Sequence, residues 1–292
     1  MTQKFTNAVK SFVLDSIARL FSKSYLLTKM ARRVVKIYDN DCNPDIQTNG
    51  ELLLIKQIVA QRNNGVFFDV GANKGDWCAE VLEQGFKGKI IAIDPLESNI
   101  ALIKKKFSNA QCPMLLQYAI SNSIGVATFF SNVDESQSGT DSLHNMNQIG
   151  YTPNLNAVKV NCTTIDKISE DLQINKIDFL KVDVEGHEYF VLKGMEEHLK
   201  KGTVDFIQIE FGHAARAAKV YLHDIVGLAA KYLYDVYVIK GNGFMPLNFT
   251  PFTENRYSYI NLLLARENSA KELAGYILPN YDKRPARFIY KK

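Results

Sequence analysis

From about residue 50 the chain alternates short apolar runs with stretches of helical periodicity, and this alternation constrains its fold more than any other feature. Gly65–Val70, Lys89–Ile93 ("KIIAI"), Met114–Ile120, Ile177–Val182 ("IDFLKV") and Val204–Ile209 ("VDFIQI") read as buried strands. Glu51–Arg62, Asp76–Gln84, Glu97–Phe107, His187–Lys200 and Lys219–Tyr234 read as helices, with Val236–Ile239 and Tyr259–Ala265 as closing strands. Strands that are apolar on both faces must be covered on both faces, so the pattern predicts an α/β fold with a mostly parallel sheet between helical layers. Ala127–Phe130 and Ala157–Thr163 read as strands flanking a polar stretch, Ser131–Asn156, which interrupts the winding and is expected to form a loop over the site.

Ligands bind such sheets outside the carboxyl ends of the strands, and there the chain places acids. Asp69 and the turn Gly71-Ala72-Asn73-Lys74-Gly75 follow the first strand, and Asp94 the second. Ser121-Asn122 follow the third, Asp183-Val-Glu185-Gly-His187 the fourth and Glu210-Phe-Gly-His213 the fifth. The glycines let the backbone approach a ligand closely. Asp94 lies 23 residues beyond Gly71, the spacing at which an acid reaches a ribose hydroxyl pair. Together they specify a nucleoside-containing cofactor; the competing reading is a tight turn beside a helix-capping acid.

A dinucleotide fold wants G-x-G-x-x-G, with pyrophosphate on a helix N-terminus. Here the turn is G-A-N-K-G behind an acid, a poor neighbour for phosphate. S-adenosylmethionine carries a sulfonium and an amino acid end and no phosphate, and Asp69 with the glycine turn is expected to hold its methionine portion.

The stretches "FFDVGANKGDW", "IAIDPLESN", "AISNSIGVATFF", "TTIDKI" and "IDFLKVDVEGHEYFVLKGM", with "SGTDSL" between the third strand and "TTID", resemble the FkbM family of class I methyltransferases from about Gly65 to Glu210. The resemblance implies a Rossmann-like class I methyltransferase sheet. It implies methyl transfer from S-adenosylmethionine, generally to a hydroxyl on a sugar, glycan or similar small-molecule acceptor. Carried over by motif, Asp69, Gly71, Asn73 and Gly75 match the methionine-side segment, and Asp94 the ribose acid, where the family often has glutamate. Ala119-Ile120-Ser121 match the segment beside the adenine.

The enzyme must align an acceptor oxygen with the methyl group and assist loss of its proton. Candidates are Asp183, which can also touch cofactor, and Glu185, His187, Glu210 and His213. His187 and His213 have bland alternatives as helix-start histidines. Asp183 and Glu210 could also ligate Mg²⁺, but the sequence supplies no convincing third ligand, and no metal is expected.

Charge is uneven. Residues 1–36 carry eight basic side chains against Asp15 alone, net +7, which leaves −3 on the remaining 256 residues of a chain of +4. A near-neutral body argues against a nucleic-acid surface, as does the lack of an Asn-Pro-Pro-aromatic or Pro-Cys motif. Phe5, Val9, Phe12, Val13, Ile17, Leu20 and Phe21 recur at helical spacing between the basic residues, and a second helical piece spans Leu26–Ile37. This extension either packs its apolar face on the main domain or rests on an anionic membrane or a partner. The expected organisation is a basic helical extension (1–48), a methyltransferase domain (49–267) and a basic tail (268–292). The rival reading from another class is a non-catalytic cofactor-binding or docking module of a membrane-associated glycan-assembly complex, docked through the extension. No secretory leader is recognisable. The four scattered cysteines read as reduced thiols, two of them in the core, and a cytoplasmic protein, peripheral at the inner membrane face in the docking reading, is expected.

Overall fold

The computed structural model describes residues 2–108, 111–132, 141–150, 155–247 and 259–279. All of "YDKRPARFIYKK", the first three residues of "SGTDSL" and the apolar side chains at Phe5 and Val9 lie outside what is described. Two compact units divide the chain, Met1–Cys42 and Asn43–Lys292. The first is a pair of helices, Thr2–Ser22 and Tyr25–Asp39. Ser24 caps the second by accepting a hydrogen bond from the Leu27 N–H, and Asn40 closes it in the left-handed region at φ 57°.

The second unit is built on strands β1 (Val66–Val70), β2 (Lys89–Ile93), β3 (Met114–Leu116), β4 (Ala119–Ile120), β5 (Gly125–Asn132), β6 (Leu155–Thr163), β7 (Ile177–Val182), β8 (Val204–Phe211), β9 (Tyr234–Lys240), β10 (Gly243–Pro246) and β11 (Ile260–Arg266). Eight form one sheet in the order β10-β9-β11-β8-β7-β1-β2-β3, and β4-β6-β5 form a second, smaller one. The pairs β1–β2, β2–β3, β1–β7 and β7–β8 are parallel, whereas β11 runs antiparallel between β8 and β9. The chain winds outward from β1 to β3 and then returns to β7 on the other side of β1. The carboxyl ends of β1 and β7 therefore flank the switch point at which an open α/β sheet binds ligands.

Both faces of the sheet are buried, as the apolar runs require. Phe68, Val70, Ile91, Ile93, Leu180, Val182 and Ile207 point into one core. Phe67, Ile90, Phe179 and Phe206 point into the other, where the helices Glu51–Gln61 and Asp76–Glu83 supply Leu54, Ile55, Ile58 and Val81. Of the four cysteines, all free, Cys78 and Cys162 are buried.

Several boundaries differ from the sequence expectation, each for a local reason. Met114–Ile120 is two strands, because β3 pairs with β2 while β4 leaves the sheet to pair with β6. His187–Lys200 is two helices, Glu188–Lys193 and Glu196–Lys201, broken where Gly194 passes so close to Ser121 that a Cβ would lie 2.0 Å from its carbonyl oxygen. The helix expected over Lys219–Tyr234 is Leu222–Lys231, and the strand after it is longer than expected. The strands flanking the polar stretch are antiparallel partners, β5 and β6, in the smaller sheet. Residues 43–48 and the helix Glu267–Glu272 belong to the α/β unit, where Ala270 and Leu273 reach its core.

The β1 turn shows why its first glycine is needed. Gly71 has φ 83°, its N–H donates to the Ile93 carbonyl (2.9 Å), and a Cβ would lie 1.7 Å from the Asp183 carbonyl oxygen. The glycine thus lets the turn after β1 touch the end of β7, rather than making room for a ligand. Gly71→Ala is expected to lower stability by about 2–4 kcal/mol in urea unfolding, from left-handed strain plus the backbone clash; a variant as stable as wild type would contradict this close approach.

Candidate active site at the strand ends

A cavity of about 330 Å³ opens at the carboxyl ends of β1, β2, β7 and β8, within the size range of small-molecule sites. Gly71, Asn73, Asp94, Ile120, Asp183, Glu185, His187 and Glu210 all line it. The sequence-predicted acids of three strand ends, those of β2, β7 and β8, are thus brought to one place.

On the β2 side, Asp94 is buried and held by three donors. The N–H of Asn73 donates to Oδ2 (2.9 Å), and the N–H of Leu96 and Nδ2 of Asn99 donate to Oδ1 (2.9 and 3.0 Å). Burial outweighs these hydrogen bonds and pushes its pKa up to about 6. Ile120 and Phe129, from β4 and β5, and Leu143 give this side an apolar wall. The smaller sheet, unrecognised from sequence as a sheet, therefore builds one side of the cavity.

The opposite side is acidic. One carboxylate oxygen each from Asp183, Glu185 and Glu210 lies within 4.8 Å of the others. Burial, reinforced by the Asp183 charge, raises Glu185 and Glu210 well above the usual carboxylate range. Tyr259 donates its hydroxyl to Glu210 Oε2 (3.0 Å). Among the described residues, no hydrogen-bond donor reaches the Glu185 carboxylate. Its backbone sits in the left-handed region (φ 51°), followed by Gly186 at φ 98°, and Glu188 holds the turn by accepting the N–H of Gly186 (2.9 Å) and of Val184 (3.3 Å). Burial raises the Glu188 pKa to about 7. The third oxygen ligand that the sequence left unassigned is therefore present as Glu185, and the trio has the hard donor set a divalent cation takes.

The histidines form a chain. Ser121 Oγ lies 2.9 Å from His187 Nε2, and His187 Nδ1 lies 2.9 Å from His144 Nε2. Two facing ring nitrogens at that distance share one proton, so the two rings cannot both be imidazolium. Burial, together with His144, lowers the His187 pKa to about 3, and burial also lowers that of His144. His144 belongs to the loop that the sequence placed over the site. Ser142 of the same loop donates its hydroxyl to the Glu185 carbonyl oxygen (2.6 Å).

Three predicted cofactor residues do not line the cavity. Asp69 follows Phe67 on the strand face covered by the helix Asp76–Glu83, so its carboxylate points into that layer instead of past the strand end. Its Oδ2 accepts from Cys78 Sγ (3.2 Å), Oδ1 lies 3.8 Å from Lys181 Nζ, and it is wholly buried. Gly75 is buried against Ile103 and Phe107, and Ser121 supports His187 from behind. His213 is exposed at the start of a 3₁₀ turn and lies off the cavity. Conversely, Tyr259, Asp141 and His144 escaped sequence reasoning. Tyr259 is reachable only once β11 is known to run antiparallel, because its beginning then lies beside the carboxyl end of β8. His144 is a lone loop histidine with no local signal.

The family model for the methyltransferase FkbM domain matches residues 69–236, more than half of the chain. The chain belongs to the FkbM methyltransferase domain family. The FkbM match contains every cavity-lining residue except Pro44 and Tyr259. A curated relative, the hexuronic acid methyltransferase AglP of Haloferax volcanii, is 26% identical over 163 residues, covering 55% of this chain and 62% of its own. This chain thus spans less than two thirds of that relative. Among solved structures, the FkbM methyltransferase of Methylobacillus flagellatus aligns over 70% of this chain and 44% of its own, at 13% identity and a TM-score of 0.43. A precorrin-6y C5,15-methyltransferase of Geobacter metallireducens aligns over 74% and 87%, at 10% identity and a TM-score of 0.40.

The histidine chain generates a pH prediction. His187 is neutral in the fold to about pH 3, whereas an unfolded histidine takes a proton near pH 6.5. Its contribution to stability is therefore lost progressively as pH falls from about 6.5 toward 3. Relative to His187→Gln, the wild type should lose about 1.4 kcal/mol per pH unit between roughly pH 6 and 4 in urea unfolding. Parallel profiles for the two proteins would remove the neutral, buried imidazole from the account.

Proposed function

We propose that this protein is an S-adenosylmethionine-dependent methyltransferase acting on a hydroxyl oxygen of a sugar or glycan. The observation that carries this reading is the division of one cavity into an apolar side ending at Asp94 and an acidic side formed by Asp183, Glu185 and Glu210. That donor set fits the cofactor. Asp94 would hold the ribose hydroxyls, Ile120 and Phe129 the adenine, and Asp183 the ammonium of the amino acid end. It does not fit a pyrophosphate, which three neighbouring carboxyl groups would repel. When bound, S-adenosylmethionine supplies an electrophilic methyl group on a sulfonium that leaves without assistance.

The chain's own residues then need to orient the acceptor and take its proton. Glu185 suits the second task, because its pKa is raised and its carboxylate is uncommitted to any protein donor among the described residues. Glu210, fixed by the Tyr259 hydroxyl, suits the first, as an acceptor for the sugar O–H. An acid-rich site disfavours an anionic acceptor and suits a neutral hydroxyl. The likeness to AglP, a hexuronic acid methyltransferase, supports a saccharide acceptor, while the preference for the neutral class rests on the acidic trio alone. A second arrangement of the same trio, favoured by its 4.8 Å spacing, is a divalent cation that orients the hydroxyl instead.

The test is transfer of labelled methyl from S-adenosylmethionine to a panel of neutral and uronic-acid-bearing oligosaccharides. Activity is expected on the neutral class, with Glu185→Gln reducing kcat by ~10²–10⁴-fold while leaving cofactor affinity within a few-fold. Unchanged kcat in that variant would dismiss Glu185 as the base. Loss of activity on dialysis against a chelator, restored by Mg²⁺, would assign the trio to a cation.

A further inference from the structure

The helix Tyr25–Asp39 separates its side chains cleanly. At helical spacing Leu26, Met30, Val34 and Ile37 fall on one face and Lys29, Arg32, Arg33 and Lys36 on the other. The apolar face is uncovered: these four side chains are 65%, 57%, 65% and 66% exposed. The preceding helix adds Phe12 and Leu20 at 73% and 70%. Single apolar side chains on a surface need no explanation, but an exposed apolar row along one helix, with further exposed apolar side chains on the helix before it, does. Neither helix is long and apolar enough to cross a membrane.

Three kinds of partner could be asked to cover such a face, and charge decides between them. A nucleic acid would engage the basic side and leave the apolar stripe in water. A second copy of the chain would bring together two segments that each carry net +7 over residues 1–36. An anionic bilayer surface satisfies both halves at once, taking the apolar stripe at the acyl boundary and the basic side chains among its headgroups. We propose that the Tyr25–Asp39 helix, with the end of the helix before it, is an in-plane anchor for an anionic lipid surface. This anchor stands independently of the chemistry assigned to the strand-end cavity.

The experiment is co-sedimentation of the full-length protein with phosphatidylcholine vesicles, with and without about 30 mol% phosphatidylglycerol, at low and high salt. Binding should be at least about tenfold stronger with the anionic lipid and should weaken as salt is raised. Met30→Glu with Val34→Glu should abolish it, and Arg32→Glu with Arg33→Glu should reduce it to the level of the neutral vesicles. Circular dichroism checks that each variant remains folded. Equal binding of wild type to both vesicle types, no binding to either, or variants that bind as well as wild type would overturn the proposal. So would a wild-type dimer that ignores vesicles and dissociates in the Met30→Glu, Val34→Glu variant, which would assign the stripe to a second copy.

Discussion

The site rests on one buried ammonium. Lys181 lies inside β7, its Nζ 2.9 Å from Asp183 Oδ2 and 3.8 Å from Asp69 Oδ1. Burial works against its charge, but Asp183, Asp69 and Glu51 outweigh burial and raise its pKa. Without Lys181 the strand ends would gather uncompensated carboxylates in a medium that stabilises charge poorly; breaking such a pair costs about 3–5 kcal/mol. The polar layer continues sideways: Gln208 Nε2 and Asn261 Nδ2 donate to Glu51 (2.8 and 2.9 Å), which ties β8 and β11 to the start of the helix Glu51–Gln61. The carboxylates that face the cavity thus have a fixed counter-charge behind them, beside a polar layer on Glu51 that draws on β8 and β11.

This arrangement reassigns Asp69. An acid at the end of the first strand, ahead of a glycine turn, reads as a ligand contact, yet the two-residue repeat of a strand sends its side chain to the helical layer beside Phe67. From there it compensates Lys181. Gly71 changes role for a similar reason, since it is the Asp183 carbonyl, in the protein itself, that leaves no room for a Cβ. Asp69 shapes the site without bordering the space in which a ligand would lie, and Gly71 borders that space with backbone alone.

Much of the fold was legible because buried parallel strands write themselves as uninterrupted apolar runs, and "KIIAI", "IDFLKV" and "VDFIQI" fall on β2, β7 and β8. Asp94, Asp183, Glu185, His187 and Glu210 were legible because strand ends converge in such a sheet whatever their separation along the chain. What stayed hidden depends on pairing rather than on pattern. Nothing local says that Ala119–Ile120 leaves the main sheet, that β11 is inserted antiparallel and carries Tyr259 to Glu210, or that His144 reaches back to His187. Each of these is a contact between segments far apart in sequence, with a side chain that is ordinary in its own surroundings.

Calorimetric titration of S-adenosylmethionine into wild type and Asp94→Asn tests the proposal that the cavity beside Asp94 holds that cofactor. The account predicts saturable one-site binding by the wild type and at least about tenfold weaker binding by the variant. A folded wild type that binds no cofactor, or a variant that binds it equally well, would contradict the account.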